Sequence, residues 1–214
     1  MPTYTKIFRG FALMAAMASA LFALSPATAR AEVASTEAAL AELSLGSADA
    51  PVVLQEYSSL TCPHCARFHA DVLPTLKKEY IDTGKVRLVF NDFPLDNMAL
   101  SALVIARCSG PERNVDFFNM LYETQADWSR AANPLAALVA LARFYGMNAD
   151  DVTACLSNQQ LIDTIVANRT KASDLHGIQS TPTFILDGEK IEGAMSFDVF
   201  KEKLDKALAA RGVK

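Results

Sequence analysis

The chain has 214 residues, 51% of them apolar, with 24 acidic and 20 basic side chains and a formal net charge of −4. This length can bury a core without disulfide support, and the acidic balance argues against nucleic acid as a partner. After the N-terminal region no apolar run approaches the roughly 20 residues of a membrane span, so the remainder reads as soluble.

Lys6 and Arg9 precede an uncharged apolar run, 11–24, which is followed by Pro26 and the small-x-small site Ala29-Arg30-Ala31. Such a run is short for a membrane anchor and suits a secretory signal, residues 1–31, cleaved near Ala31. Cleavage removes Lys6, Arg9 and Arg30 and no acid. It leaves 17 basic and 24 acidic side chains, a charge of −7, on the mature chain 32–214. That is one large domain or one domain with an insertion, expected to be an exported monomer.

Residues 32–47, rich in Ala, Ser and Glu, read as a mobile lead-in with weak helical tendency. Residues 52–57 form a first strand, and 62–80 a helix that Pro74 should kink. Thr83-Gly84-Lys85 is a turn before a second strand, 86–90, which Asn91-Asp92 and Pro94 end. From 98 to 175 alanine and leucine dominate and helical runs follow one another: 99–108, 115–123, one between Pro134 and Gly146, 149–156 and 161–172. Pro just inside a helix start and Gly just past its end is the expected asymmetry. Strand character returns at 183–186. Asp187-Gly188 is a two-residue hairpin signal before Lys190-Ile191, and 197–210 is a closing amphipathic helix. The order is β, α, β, helical block, β, β, α.

Cys62-Pro63-His64-Cys65 lies between the first strand and the first helix. Two thiols at this spacing can close into a disulfide that opens readily. Cys62 falls at a helix N-terminus, where unpaired N–H groups and the helix dipole favour an anion. His64, when protonated, would lower the thiol pKa further. Cys62 is therefore expected as the acidic, exposed thiol and Cys65 as the buried one. Zinc is the competing reading, since Cys65 and His69 share a helix face that Cys62 could join. A structural site normally takes four ligands, and no second close cysteine pair follows. Four cysteines is an even count for an exported chain, which leaves Cys108 and Cys155 for each other; two buried free thiols are the alternative. A bond of that span would be worth roughly 4 kcal/mol in the chain-entropy model. Glu56 lies in the first strand among apolar neighbours, as either a buried carboxylate or a surface glutamate on an edge strand. His176 reads as a polar helix end before Gly177, and Trp128 and Phe117-Phe118 as core or groove-lining residues.

This order, with Cys62-Pro63-His64-Cys65 after the first strand and Ser180-Thr181-Pro182-Thr183-Phe184 before the hairpin, resembles the α/β thioredoxin-like fold interrupted by an all-helical insertion domain. More closely, from about Ala48 onward, the chain resembles the DsbA family of periplasmic thiol:disulfide oxidoreductases. The pair Cys108/Cys155 resembles a branch with a second disulfide. The resemblance implies a thioredoxin-like domain in two parts, 48–97 and 176–214, around an insertion, 98–175. It also implies a very acidic Cys62, with Pro63 and His64 between the cysteines, and Glu56 as the buried acid serving proton transfer at Cys65. A cis Thr181-Pro182 bond would lie beside the dithiol, its backbone free to pair with an extended substrate. The implied partners are newly exported proteins with free cysteines and a quinone-linked membrane oxidase of the DsbB type; no bound cofactor or metal is implied. An isomerase is disfavoured because the short lead-in, 32–47, holds no dimerisation module. A dedicated reductant, a non-catalytic chaperone-like module and a kappa-type glutathione transferase complete the alternatives, the intact dithiol arguing against the last.

Overall fold

A computed structural model describes residues 33–213. The signal segment 1–31 and its cleavage site lie outside the described residues. Along the chain run α1 (Thr36–Ala39), β1 (Leu43–Leu45), β2 (Val52–Ser58), α2 (Pro63–Asp71), α3 (Leu73–Leu76), a π-helical turn (Lys77–Ile81) and β3 (Val86–Asp92). The helical block is α4 (Asn97–Cys108), α5 (Pro111–Glu123), α6 (Gln125–Ser129), α7 (Pro134–Ala142) with a 3-10 turn (Arg143–Tyr145), α8 (Ala149–Leu156) and α9 (Gln159–His176). β4 (Thr183–Leu186), β5 (Glu189–Glu192) and α10 (Phe197–Ala209) follow.

The sheet order is β1-β3-β2-β4-β5. β2 and β3 are parallel and the other pairs antiparallel. A parallel pair needs a crossover, which α2, α3 and the π turn supply. β2 is paired on both sides, and Glu56 stands opposite Phe90 of β3 and Phe184 of β4. Glu56 is thus on a central strand, which removes the edge-strand reading. On its face of the sheet, Phe68 of α2, Phe184 and Phe200 pack with ring centroids 4.6 to 5.4 Å apart. The opposite face buries Tyr57, Phe93, Ile178 and Ile185 with Ala172 of α9.

The lead-in departs from expectation. Ser35 caps α1 by accepting from the Ala38 amide at 3.2 Å, and β1 pairs with β3, Leu43 opposite Phe90. Long-range partners outweigh the weak local propensity. Leu43 and Ala39 are buried, and Arg107 of α4 donates to the carbonyls of Ala39 and Ala41 at 3.1 and 2.8 Å. The Arg107 guanidinium also holds Asp92 at 2.7 Å. At Gly46, φ +99°, a Cβ would lie 2.6 Å from the Val86 carbonyl, so β1 can leave the sheet here only through glycine.

The first helix is interrupted sooner than expected. α2 stops at Asp71, and Pro74 sits in the first turn of α3, where its missing N–H is tolerated. In the block, Asp96, Asn133, Asn148 and Asn158 each cap a helix through the side-chain oxygen. Gly146 ends the α7 segment at φ +78°. Trp128 is core, its Nε1 donating to the Leu121 carbonyl at 2.8 Å, and Phe117 and Phe118 are buried with it.

Cys108 at the end of α4 and Cys155 on α8 are joined by a disulfide with a Cα–Cα distance of 6.2 Å, inside the usual range. Both are buried. Replacing both by alanine is expected to cost up to about 4 kcal/mol, read as a lower denaturant midpoint. Alkylation of the folded, unreduced protein should leave both unlabelled; ready labelling of either would contradict the bond.

Candidate active site

The dithiol stands where β2 gives way to α2. The intervening turn is fixed from several directions. The Cys62 amide donates to the Ser59 carbonyl at 3.0 Å, and the Thr61 hydroxyl to Asp96 at 2.7 Å. Gln125, at the start of α6, donates both protons of its amide, to the carbonyls of Leu60 and Cys62 at 2.8 and 3.0 Å. Cys62 is then the N-cap of α2 with Pro63 at the first helical position, where proline needs no N–H and its φ is preset.

Cys62 is only 5% exposed and Cys65 fully buried. The outer thiol is therefore more covered than a bare motif suggests, because the Thr181-Pro182 loop lies against it. That peptide bond is cis, and the Cys62 thiol donates to the Thr181 carbonyl at 3.3 Å. The two sulfurs differ sharply in proton affinity. The Cys62 thiol is lowered to about 5, above all by the hydrogen bond from Cys65. The Thr181 side chain and the backbone amides of Cys65 and His64 add to this, while burial works against it. Burial, the bond given to Cys62 and the negative charge of Glu56 push the Cys65 thiol well up. Apart from Cys62, the Thr181 hydroxyl has no hydrogen-bond partner among the described residues, which leaves its proton for the thiolate.

His64 lies in the first turn of α2 and is exposed. Its ring faces Arg67, with Nδ1 3.1 Å from a guanidinium nitrogen. A guanidinium can only donate, so Nδ1 accepts. The His64 contribution to the Cys62 thiolate comes from its backbone N–H, because the side chain at the second helical position points out to solvent. His69, one helical turn after Cys65, pairs with the carboxylate of β2 rather than with either sulfur. Its Nε2 lies 3.1 Å from Glu56 Oε1, and its ring stacks on Tyr122 of α5 with centroids 4.0 Å apart. Among the described residues no three His, Cys, Asp or Glu side chains are placed to hold a metal ion.

The sequence brought Cys62, Cys65, Glu56 and Thr181-Pro182 to one place. It missed Gln125, which carries no local signal, and the partnership of His69 with Glu56. The placement of His69 one helical turn after Cys65 was the available clue. Because the amide survives truncation, His64→Ala should raise the Cys62 pKa by no more than about one unit, measured by thiolate absorbance against pH. A rise of several units would return the effect to the ring.

A family model described as thioredoxin matches residues 38–206, a span that includes β1. A putative protein-disulfide oxidoreductase of Rickettsia typhi is 30% identical over 168 residues, 78% of this chain and 62% of that protein. One of Rickettsia felis is 32% identical over 168 residues, 78% of this chain and 60% of the relative. The chain thus spans about three fifths of these rickettsial relatives. Disulfide bond formation protein D of Bacillus subtilis is 29% identical over 174 residues, 78% of this chain and 77% of that protein. Among solved structures, alpha-DsbA1 of Wolbachia pipientis superposes with a TM-score of 0.74 at 29% identity, covering 80% of this chain and 92% of that one. BdbD of Bacillus subtilis gives 0.67 at 26% identity, covering 84% and 97%. With its redox-type Cys62-Pro63-His64-Cys65 motif, its cis Thr181-Pro182 loop and its helical block between β3 and β4, the chain belongs to the thioredoxin family, in its DsbA-like form.

Proposed function

We propose that the chain is an exported thiol:disulfide oxidoreductase that donates its Cys62–Cys65 disulfide to newly translocated proteins in the periplasm. The observation that carries this reading is the inequality of the two sulfurs: one poised as a thiolate at about pH 5, the other held as a buried thiol. In the oxidised protein a substrate thiolate attacks Cys62, the Cys62–Cys65 bond breaks, and Cys65 takes up a proton. A second substrate thiolate then attacks the mixed disulfide and expels Cys62. A stabilised thiolate leaves easily and also lowers the energy of the reduced form, so both effects drive the disulfide toward the substrate.

Pro63 starts the helix whose first amides, those of His64 and Cys65, face the sulfur. Thr181 and Pro182 present backbone to an extended substrate segment beside Cys62, a form of strand addition. Glu56 serves proton transfer at Cys65. Residues 48–97, joined by β1, and 176–214 act as the thioredoxin-like unit, with 98–175 inserted and the Cys108–Cys155 bond bracing the insertion. A DsbB-type membrane oxidase returns the pair to the disulfide. Export rests on the residues of segment 1–31, and the acidic surface suits a monomer.

The reading is tested by the potential of Cys62/Cys65 against glutathione, together with oxidation of a reduced dithiol peptide. A potential well above about −270 mV, the thioredoxin value, with rapid peptide oxidation is expected. A value near −270 mV, about that of thioredoxin, would make the protein a reductant instead. The pH dependence has a definite sign. Above about pH 5, reduction takes up one proton for two electrons, because Cys62 stays ionised. Below it, two are taken up. The potential should therefore fall by about 30 mV per pH unit above the break and about 60 mV below it. The same ionisation stabilises the reduced fold at pH values above the free-thiol pKa of about 8.5, an effect lost as the pH falls through about 5. A straight potential–pH line across this range would contradict the thiolate assignment.

A further inference from the structure

Glu56 and His69 form a buried pair directly behind the dithiol. Their side chains are 0% and 5% exposed, so water does not mediate between them. The His69 ring is fixed by stacking on Tyr122 and by contact with Phe68 and Phe90. Its Nε2 meets Glu56 Oε1 at 3.1 Å. Glu56 Oε2 and His69 Nδ1 have no hydrogen-bond partner among the described residues. The proton-carrying groups that face this pair are Cys65 from α2 and Tyr122 from α5, both of which feel the charge of Glu56.

The chemistry needs a proton acceptor at this place. When Cys65 attacks a mixed disulfide at Cys62, the Cys62–Cys65 bond forms and the bond from Cys62 to the substrate sulfur breaks. The substrate sulfur leaves with the electron pair and takes a proton from solvent, while Cys65 loses its own. Cys65 is fully buried, so its proton passes to a group already inside. We infer that His69 is the positioning residue for this transfer: its Nε2–H occupies Glu56 Oε1, fixes the carboxylate, and leaves Oε2, which makes no direct hydrogen bond to Cys65, as the acceptor for the Cys65 proton by way of one bridging water. In disulfide donation the same oxygen returns the proton to Cys65. The inference rests on the oxidoreductase reading and adds to it a residue outside the Cys62–Cys65 motif.

A buried carboxylate stripped of its donor takes up a proton, and a protonated Glu56 cannot accept another. The test mixes reduced protein with oxidised glutathione, quenches in acid at intervals, and follows the mass of the species glutathionylated at Cys62 across a range of pH. Formation of that species reports Cys62, and its decay reports attack by Cys65. His69→Phe should leave formation unchanged, slow decay about tenfold or more at neutral pH, and move the decay profile to higher pH. His69→Gln, which keeps an N–H donor of similar reach, should restore most of the rate. In a Glu56→Gln background, His69→Phe should make no further difference. Should His69→Phe not fold, His69→Met fills the position without a donor and is judged by the same criteria. A wild-type decay profile in the donor-less variant would overturn the inference. So would an equal loss when Glu56 is already Gln. A wild type that oxidises no peptide, yet shows this decay and its dependence on His69, would discard the oxidase reading and leave this assignment standing.

Discussion

A thiolate held against protein rather than water needs hydrogen-bond donors on several sides, and here they come from parts of the chain far apart in sequence. The first turn of α2 supplies the amides of His64 and Cys65, and Cys65 supplies its own thiol. The loop before β4 supplies the Thr181 side chain, 119 residues from Cys62. The helical block contributes no donor to the sulfur, but through Gln125 it pins the Cys62 carbonyl. The sulfur of Cys62 thus reports the correct packing of three regions at once. Helix-terminus electrostatics fades within a turn, so a shift of the α2 start relative to the Thr181 loop would weaken the ionised state.

The second sulfur obeys the opposite rule. Cys65 is denied water and faces the charge of Glu56 across the core. Two neighbouring thiols of one chemical type differ in proton affinity because their surroundings differ. The sheet makes this possible. Glu56 is on a strand paired on both sides, which fixes its backbone and lets only its side chain address the cysteines.

What the sequence disclosed was local. The Cys62-Pro63-His64-Cys65 motif, the Asp187-Gly188 hairpin, the helix-starting proline at 134 and the Gly146 stop all act through neighbouring residues, and the corresponding elements were legible from them. The misses share the reverse property. β1 exists because Leu43 finds β3 and Arg107 finds two carbonyls, partners far along the chain that no local composition reveals. Gln125 looks like any polar helix residue until Leu60 and Cys62 are beside it. His69 was visible as sharing a helix face with Cys65, but the facing strand, which the sequence does not place, decides that its ring serves Glu56. His64 was legible as the residue between the two cysteines, but that its ring lies against Arg67 depends on direction along the helix, which proximity in sequence does not give.

The short strand β1 does more than extend the sheet. It covers the outer side of β3, whose other side is taken by β2. A protein trimmed to Ala48, where the recognisable motif pattern begins, would lose that cover and leave β3 as a bare edge ready to pair with another chain. It would also strip Arg107 of the carbonyls of Ala39 and Ala41. The residues that look most dispensable are therefore a guard against self-association, and any shortened or fused version that omits them would invite aggregation by way of the sheet rather than loss of the dithiol.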